Sequence, residues 1–170
     1  IDALVKTTRL ESGVLAMTPK RHGIQQLLDA ASAQAAPGAE AKAITLTVEP
    51  TDLTARFDPK WTAEALYNLV DNAVKYTPAG GAVTLRAVGY ELFCRVDVTD
   101  TGPGIPESEQ ARIFQRFYRS PSASEAEGVG IGLYLARQIA AGQGGYLKVS
   151  SRPGEGSTFS LFLPRAEERT

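Results

Sequence analysis

One cysteine, one histidine, one tryptophan and one methionine in 170 residues make several amino acids scarce in this chain, and the scarcity removes options. A single thiol excludes an intrachain disulfide, and Cys94 stands in an apolar run where a buried, inert side chain is the ordinary outcome. That cysteine usage suits a reducing compartment. The one histidine, His22, follows Lys20 and Arg21 and reads as a surface residue, not a ligand or catalyst. No apolar run approaches the ~18 residues that span a bilayer, and no signal-peptide pattern is present. Charge of either sign is also lacking in excess. With 18 Lys and Arg against 19 Asp and Glu, the net charge is −1, so there is no broad electrostatic footprint for nucleic acid or an anionic membrane. Nucleic acid is not expected as a partner, and any ligand must be held by a local site. The length suits one core and one domain. The first residue is Ile1, not Met, and the chain is read as a fragment of something longer.

What the chain does have is a carboxylate in an unusual place. The run LFCRVDVTD alternates with period 2, so Leu92, Cys94, Val96, Val98 and Asp100 share one face, while Phe93, Arg95, Asp97 and Thr99 share the other. Asp100 is therefore expected to point inward. An ionised carboxylate there is costly unless donors reach it, and no neighbouring Lys or Arg falls on that face. The next residues, TGPGI, stop the strand; Gly102 and Gly104 can take φ > 0 and carry no side chain to block a flat ligand. An aromatic amine such as adenine N6 would supply the missing donor. Taken alone, the hexapeptide Asp100 to Ile105 fits equally a strand-ending turn with a solvated Asp.

The second informative stretch is a helix expected from Pro59 to about Tyr76, with Asp58 as its cap and Pro59 at its first position. Leu66, Leu69, Val70, Ala73 and Val74 fall within one apolar arc. Asn68, Asn72 and Lys75, at i, i+4 and i+7, line the opposite arc with Glu64 and Asp71. A polar arc is usually just a solvated surface. Two asparagines inside a helix, where neither is a good helix former, favour a site. An amide oxygen suits Mg²⁺, which combines few protein ligands with waters and phosphates, and Lys75 can offset phosphate charge.

Around these two stretches the pattern gives a helical segment ending near Gly13 (Ile1, Leu4, Val5, Thr8), then a second helix over residues 22 to 36 ending at Pro37-Gly38. Ile44 to Glu49 and Leu53 to Phe57 read as short strands, and Val83 to Tyr90 pairs with Leu92 to Asp100 as a hairpin. Residues 106 to 127 contain a short amphipathic piece (Ile113, Phe114, Phe117) and the small, polar tract SPSASEAEG, a composition expected of a mobile lid. GVGIGL, Gly128 to Leu133, then opens a helix with Leu135, Ile139 and Ala140 at helical spacing. Glycines at a helix start offer backbone N–H groups to phosphate, although GxGxG alone is weak. Gly145 to Ser151 and Ser157 to Leu163 read as two strands joined by RPGEG.

With these pieces in order, the chain resembles the catalytic and ATP-binding domain of sensor histidine kinases, in the ATPase superfamily that also holds gyrase B, the Hsp90 chaperones and MutL. NLVDNAVKYTP (Asn68 to Pro78) is similar to that family's N box, DTGPGI to its first glycine box, IFQRFYR (Ile113 to Arg119) to its F box, and GVGIGL to its second glycine box. GEGSTFSLFLP matches the usual final hairpin. The resemblance covers nearly all of residues 19 to 164. It implies an α/β (α+β) two-layer sandwich, the Bergerat fold: a mixed sheet of about five strands with helices on one face. Residues 1 to 18, through RLESG, resemble the end of the second helix of a dimerisation and phosphoacceptor domain, leaving residues 19 to 170 as the ATP-binding domain.

The resemblance also implies roles. Asp100 would accept from adenine N6, and Asn72 would bind Mg²⁺ with Asn68 beside it. Asn68, Asn72 and Lys75 are the candidate catalytic residues. Tyr76, Gly102, Gly104, Ile105, Gly128, Val129, Gly130, Ile131, Gly132, Leu133 and Thr158 would join them around the nucleotide, with Arg119 a further candidate for phosphate. The cofactors implied are ATP and Mg²⁺. The partners are the protein's own dimerisation domain and a response regulator, with a homodimeric full-length protein, a cytoplasmic location for this domain and a membrane anchor elsewhere. Two departures matter. Hydrolysing relatives carry a Glu one turn before the metal-binding Asn; here Asn68 holds that place, and an amide is a poor general base. No HExxxP-type acceptor segment is present. Phosphoryl transfer to an outside histidine is therefore expected; a serine kinase or slow ATPase, and a nucleotide-gated interaction module without transfer, are the alternatives.

Overall fold

The computed structural model describes residues 17–115 and 132–165. In chain order the described elements are β1 (Lys20–Gly23), α1 (Ile24–Ala41), β2 (Thr45–Val48), β3 (Thr54–Phe57), α2 (Pro59–Tyr76), β4 (Ala82–Gly89), β5 (Phe93–Asp100), α3 (Glu107–Gln110), α4 (Gly132–Gly142), β6 (Tyr146–Ser151) and β7 (Ser157–Pro164). Five strands form one sheet in the order β2-β4-β5-β7-β6, with β2 parallel to β4 and the other pairs antiparallel. β1 and β3 make a separate antiparallel ribbon.

Register decides which face is which. Val98 is opposite Leu85 and Phe159, and Val96 is opposite Leu161, so one face of the sheet is continuous apolar side chain. Those residues are at most 1% exposed. The amphipathic helices α1, α2 and α4 cover this face with Ile24, Leu28, Leu66, Leu69, Val70, Leu135 and Ile139. Each fully buried aliphatic side chain contributes roughly 1.5–3 kcal/mol. The result is the expected two layers, a mixed five-stranded sheet with helices on one side. The other face carries Thr84, Thr99, Thr158 and Ser150 in one row and a stacked Tyr146–Phe162 pair, with centroids 4.3 Å apart, in another.

α2 spans the range expected of it. Asp58 accepts from the Trp61 N–H, Pro59 occupies the first turn, and Thr77-Pro78 ends the helix. Four expectations need correction. α1 does not stop at Pro37-Gly38 but runs to Ala41. Pro37 forfeits only one backbone bond, whereas Ala35 and Ala39 are buried and hold the last turn against the core. The helix closes instead at Ala43, whose φ is 60°, with Ile44 N–H donating to the Ala39 carbonyl at 2.8 Å. β1 was not foreseen, because KRHG has no apolar alternation; it exists through its pairing with β3. Leu92 does not join the inner face: it is 71% exposed in the turn that precedes β5. His22 is only partly exposed, tilted against Phe57 with centroids 5.4 Å apart.

Residues 1–16, most of the segment compared with a dimerisation helix, lie outside the described residues. So do residues 116–127 of the expected lid. Its first part forms α3 and a turn that buries Ile113 and Phe114, the latter edge-on to Phe159 at 6.1 Å.

Candidate functional site

Asp100 ends β5 in the phase of Val98, so its carboxylate faces the helical layer, and it is 7% exposed. Gly102 N–H donates to its Oδ1 at 2.8 Å, and the Ser157 N–H supplies a second bond. Among the described residues no Lys or Arg reaches it. Burial pushes its pKa above the ordinary carboxylate value, and the two backbone donors only partly oppose this. Such a group gains from any further donor that arrives.

The loop after Asp100 is clamped. Gly104 has φ +80°, and a Cβ there would fall 2.1 Å from the Arg152 carbonyl oxygen, so only glycine fits. Gly154 N–H donates to the Pro103 carbonyl at 2.6 Å, and Ile105 N–H donates to Ser151 Oγ at 2.7 Å. Gln110 Nε2 donates to the carbonyls of both Ile105 and Ser151 at 2.9 Å. The β6–β7 turn thus holds the TGPGI loop from behind.

The C-terminal turn of α2 meets this loop. A Cβ on Gly102 would lie 3.0 Å from Asp100 Oδ1, 3.2 Å from the Tyr76 carbonyl oxygen and 3.4 Å from Thr77 Oγ1. Lys42 Nζ donates to the carbonyls of Val74, at 3.0 Å, and Lys75, at 2.5 Å, satisfying two groups that the helix end would leave bare. Lys75 itself pairs with Asp71 at 3.0 Å on the exposed side. Further back along α2, Asn68 and Asn72 are half-buried. Gly132 opens α4 over Asn68; a Cβ there would be 3.6 Å from Asn68 Oδ1. Asn68 Nδ2 is buried without a hydrogen-bond partner among the described residues. An orphaned amide of this kind costs roughly 1–3 kcal/mol unless water or a ligand completes it.

Of the expected site residues, the structure brings Asp100 and Gly102 to the Tyr76 end of α2, holds Gly104 and Ile105 in the loop clamped by the β6–β7 turn, and sets Gly132 against Asn68 further along the helix. Asn72 and Lys75 lie on the α2 face between them, and Leu133 follows Gly132 in the first turn of α4. Thr158 is not brought there. It pairs with Thr99, not Asp100, and its hydroxyl lies 3.1 Å from that of Thr99 on the opposite face of the sheet. Arg119, Gly128, Val129, Gly130 and Ile131 lie outside the described residues, as does Phe117. Ser157 and Thr77 were missed. Ser157 sits opposite Asp100 and donates its N–H to it, and the buried Thr77 Oγ1 has no partner among the described residues. Ser157 faces Asp100 through the β5–β7 pairing, a register between strands far apart in the chain that no local pattern reveals.

No group of three or more His, Cys, Asp or Glu side chains suited to a metal is present among the described residues. Asn68, Asn72, Lys75 and Tyr76 form a stripe along α2, flanked by Glu64 and by Asp71, which Lys75 engages; the amide oxygens of Asn68 and Asn72 are hard donors that suit Mg²⁺ only when a ligand brings further oxygens. No helix described is long and apolar enough to cross a membrane.

Fold and stripe together define an ATP-binding domain built as a two-layer sandwich, with a buried carboxylate at the end of a central strand and amides along the facing helix. The chain belongs to the histidine kinase-, DNA gyrase B-, and HSP90-like ATPase family, whose model matches residues 57–167. It is 42% identical over 131 residues to the adaptive-response sensory kinase SasA of Synechococcus sp., covering 75% of this chain and 35% of that protein. It is 36% identical over 170 residues to the sensor protein DivL of Caulobacter vibrioides, covering 99% of this chain and 22% of that one. Among solved structures, full-length ShkA in complex with AMPPNP superposes with a TM-score of 0.85 at 28% identity, covering 99% of this chain and 36% of that chain. The chain thus spans between about a fifth and a third of these relatives. Within them it corresponds to the ATP-binding catalytic domain of a histidine kinase.

Proposed function

We propose that this chain holds Mg·ATP along α2 and presents its γ-phosphoryl group to a histidine on a dimerisation domain. The observation that carries the reading is Asp100: a buried carboxylate with backbone donors only, at the mouth of a glycine loop, in need of one more hydrogen bond. Adenine N6 supplies it. Gly102, Tyr76 and Ile105 frame the base. From Asn68 to Tyr76 the stripe runs about 12 Å along the helix, room for a base, a sugar and a phosphate chain.

Asn72 would hold Mg²⁺ through its amide oxygen with Asn68 beside it, and the bound ion would neutralise charge on the phosphates. Lys75, exposed and tethered by Asp71, can turn toward the phosphates for the same purpose. Gly132 and Leu133 place the N-terminus of α4 beside them. Asn68 has no capacity to take a proton from water, so hydrolysis is not assisted. The outside imidazole nitrogen forms the new P–N bond as the bond between γ-phosphorus and the bridging oxygen breaks and ADP leaves. An aspartate on a separate response regulator would then receive the group, and the full-length kinase would act as a homodimer.

The test is incubation with γ-labelled ATP and Mg²⁺, alone and with a separately supplied dimerisation domain carrying its acceptor histidine. Label should appear on the added domain only, slowly because linkage no longer raises the local concentration, and should be acid-labile. Acid-stable label would point to a serine kinase, and label on this chain that disappears in His22→Gln would make it self-contained; either outcome contradicts the proposal.

A further inference from the structure

Gln143 lies at the far end of α4 from the stripe, is 8% exposed, and still satisfies both ends of its amide. Its Oε1 accepts the backbone N–H of Asp58 at 2.5 Å, and its Nε2 donates to Thr62 Oγ1 at 2.9 Å and to the Ile139 carbonyl at 3.3 Å. Thr62 is fully buried, and Asp58 is 6% exposed. Asp58 is at the same time the cap of α2 and the acceptor, through Oδ2, of the Thr18 N–H at 2.8 Å. One buried amide therefore fastens the C-terminus of α4 to the N-terminus of α2.

The two helices run antiparallel, because Gln143 meets the start of α2 while Gly132 meets Asn68 in its middle. From Asp58 to Asn68 is ten residues, about 15 Å of helix, and from Gly132 to Gln143 is eleven, about 16 Å. With matched arms of rigid helix, fixing one end sets the register at the other. We infer that Gln143 is a positioning residue for the phosphate end of the site: by pinning α4 to the cap of α2 it determines how Gly132 and the N–H groups beside it lie over Asn68. The inference rests on the nucleotide reading proposed above. Gln143 touches no ligand; it acts through Asp58, Thr62 and the two helix axes. Apolar contacts between α2 and α4 allow the helices to slide by a fraction of a turn, whereas the two directional bonds from Gln143 to Asp58 and Thr62 do not; the third, to the Ile139 carbonyl, stays within α4 and orients the amide.

The test compares Gln143→Met, similar in length and unable to make the three bonds, with Val96→Ala, which thins the core under the sheet and leaves the node intact. Affinities for Mg·ATP and for metal-free ADP are measured by calorimetry well below each melting temperature. Gln143→Met should weaken Mg·ATP on the order of fivefold, the equivalent of one lost buried hydrogen bond, and leave metal-free ADP nearly unchanged. Val96→Ala should lower the melting temperature and change neither affinity. If Gln143→Met does not fold, Thr62→Val removes one arm of the node conservatively and should weaken Mg·ATP by two- to threefold with the same selectivity. A folded variant with wild-type affinity for Mg·ATP, or one that loses both ligands equally, overturns the positioning role while the nucleotide reading stands. A wild-type protein that binds neither ligand overturns that reading, and this inference with it.

Discussion

Replacing Asp100 by Asn keeps the side-chain volume and exchanges one acceptor oxygen for an NH₂ donor. In the free protein the cost is small. The Asn oxygen can still accept from Gly102 N–H, and the exchange removes an ionised group whose pKa burial has raised. Apo stability should stay within about 1 kcal/mol of wild type. Because the folded pKa of Asp100 lies above the unfolded value, its contribution to stability is fully present below the ordinary carboxylate pKa and is lost as pH rises through the folded one. Wild type should therefore lose ground relative to Asp100→Asn as pH rises across that window. Binding behaves differently. An N–H now faces the amino group of adenine, so a bond between a charged acceptor and a donor, worth about 1.5–3 kcal/mol, becomes a donor–donor contact. ATP affinity should fall at least tenfold and by as much as about a hundredfold. Calorimetric titration of both proteins, with thermal melts from acid to neutral pH, reads all three quantities. A folded Asp100→Asn protein with wild-type ATP affinity would show that Asp100 does not read the base.

Asn72→Ala should leave the apo melting temperature almost unchanged, since the side chain is half-buried on the face of α2 turned from the core, and should abolish the dependence of ATP affinity on Mg²⁺; titrations with and without Mg²⁺ decide it. Burial pushes the Asp58 carboxyl up, but hydrogen bonds from Thr18, Trp61 and Lys60 outweigh it and hold the pKa below the ordinary value. Its stabilisation is present above the unfolded pKa and is lost as pH falls through the folded one, so Asp58→Asn, which can still cap α2, should lose less stability than wild type in acid melts. Gly104→Ala forces a side chain into φ +80° against the Arg152 carbonyl. The conformation alone costs about 1–2 kcal/mol, so the melting temperature should drop by at least about 2–4 °C, and ATP should bind more weakly because the clamp must open.

How legible this was depended on whether a residue's setting was local. α2 could be bounded because its signals, Asp58-Pro59 at one end and Thr77-Pro78 at the other, act within the chain segment itself. The phase of β5 followed from its alternation, and with it the burial of Asp100. Leu92 failed because alternation continues one residue past the point where pairing stops. Pro37 misled because a single lost hydrogen bond was outweighed by apolar packing of Ala35 and Ala39, a tertiary effect. The choice of Thr158 over Ser157 is a one-residue phase error, and phase across a sheet depends on register, which only long-range pairing sets. Lys42 on the α2 carbonyls and Gln143 on Asp58 were invisible for the same reason: their partners lie 32 and 85 positions away.

A crystal structure of this chain with a non-hydrolysable ATP analogue and Mg²⁺ bears most directly on the central claim. Adenine N6 should lie within hydrogen-bond distance of Asp100, the base should rest against Gly102 and Tyr76, and the metal should touch Asn72 beside Asn68 and Gly132. Nucleotide found instead on the outer face of the sheet, in the polar hollow lined by Thr99, Ser150, Arg152 and Thr158, would contradict it.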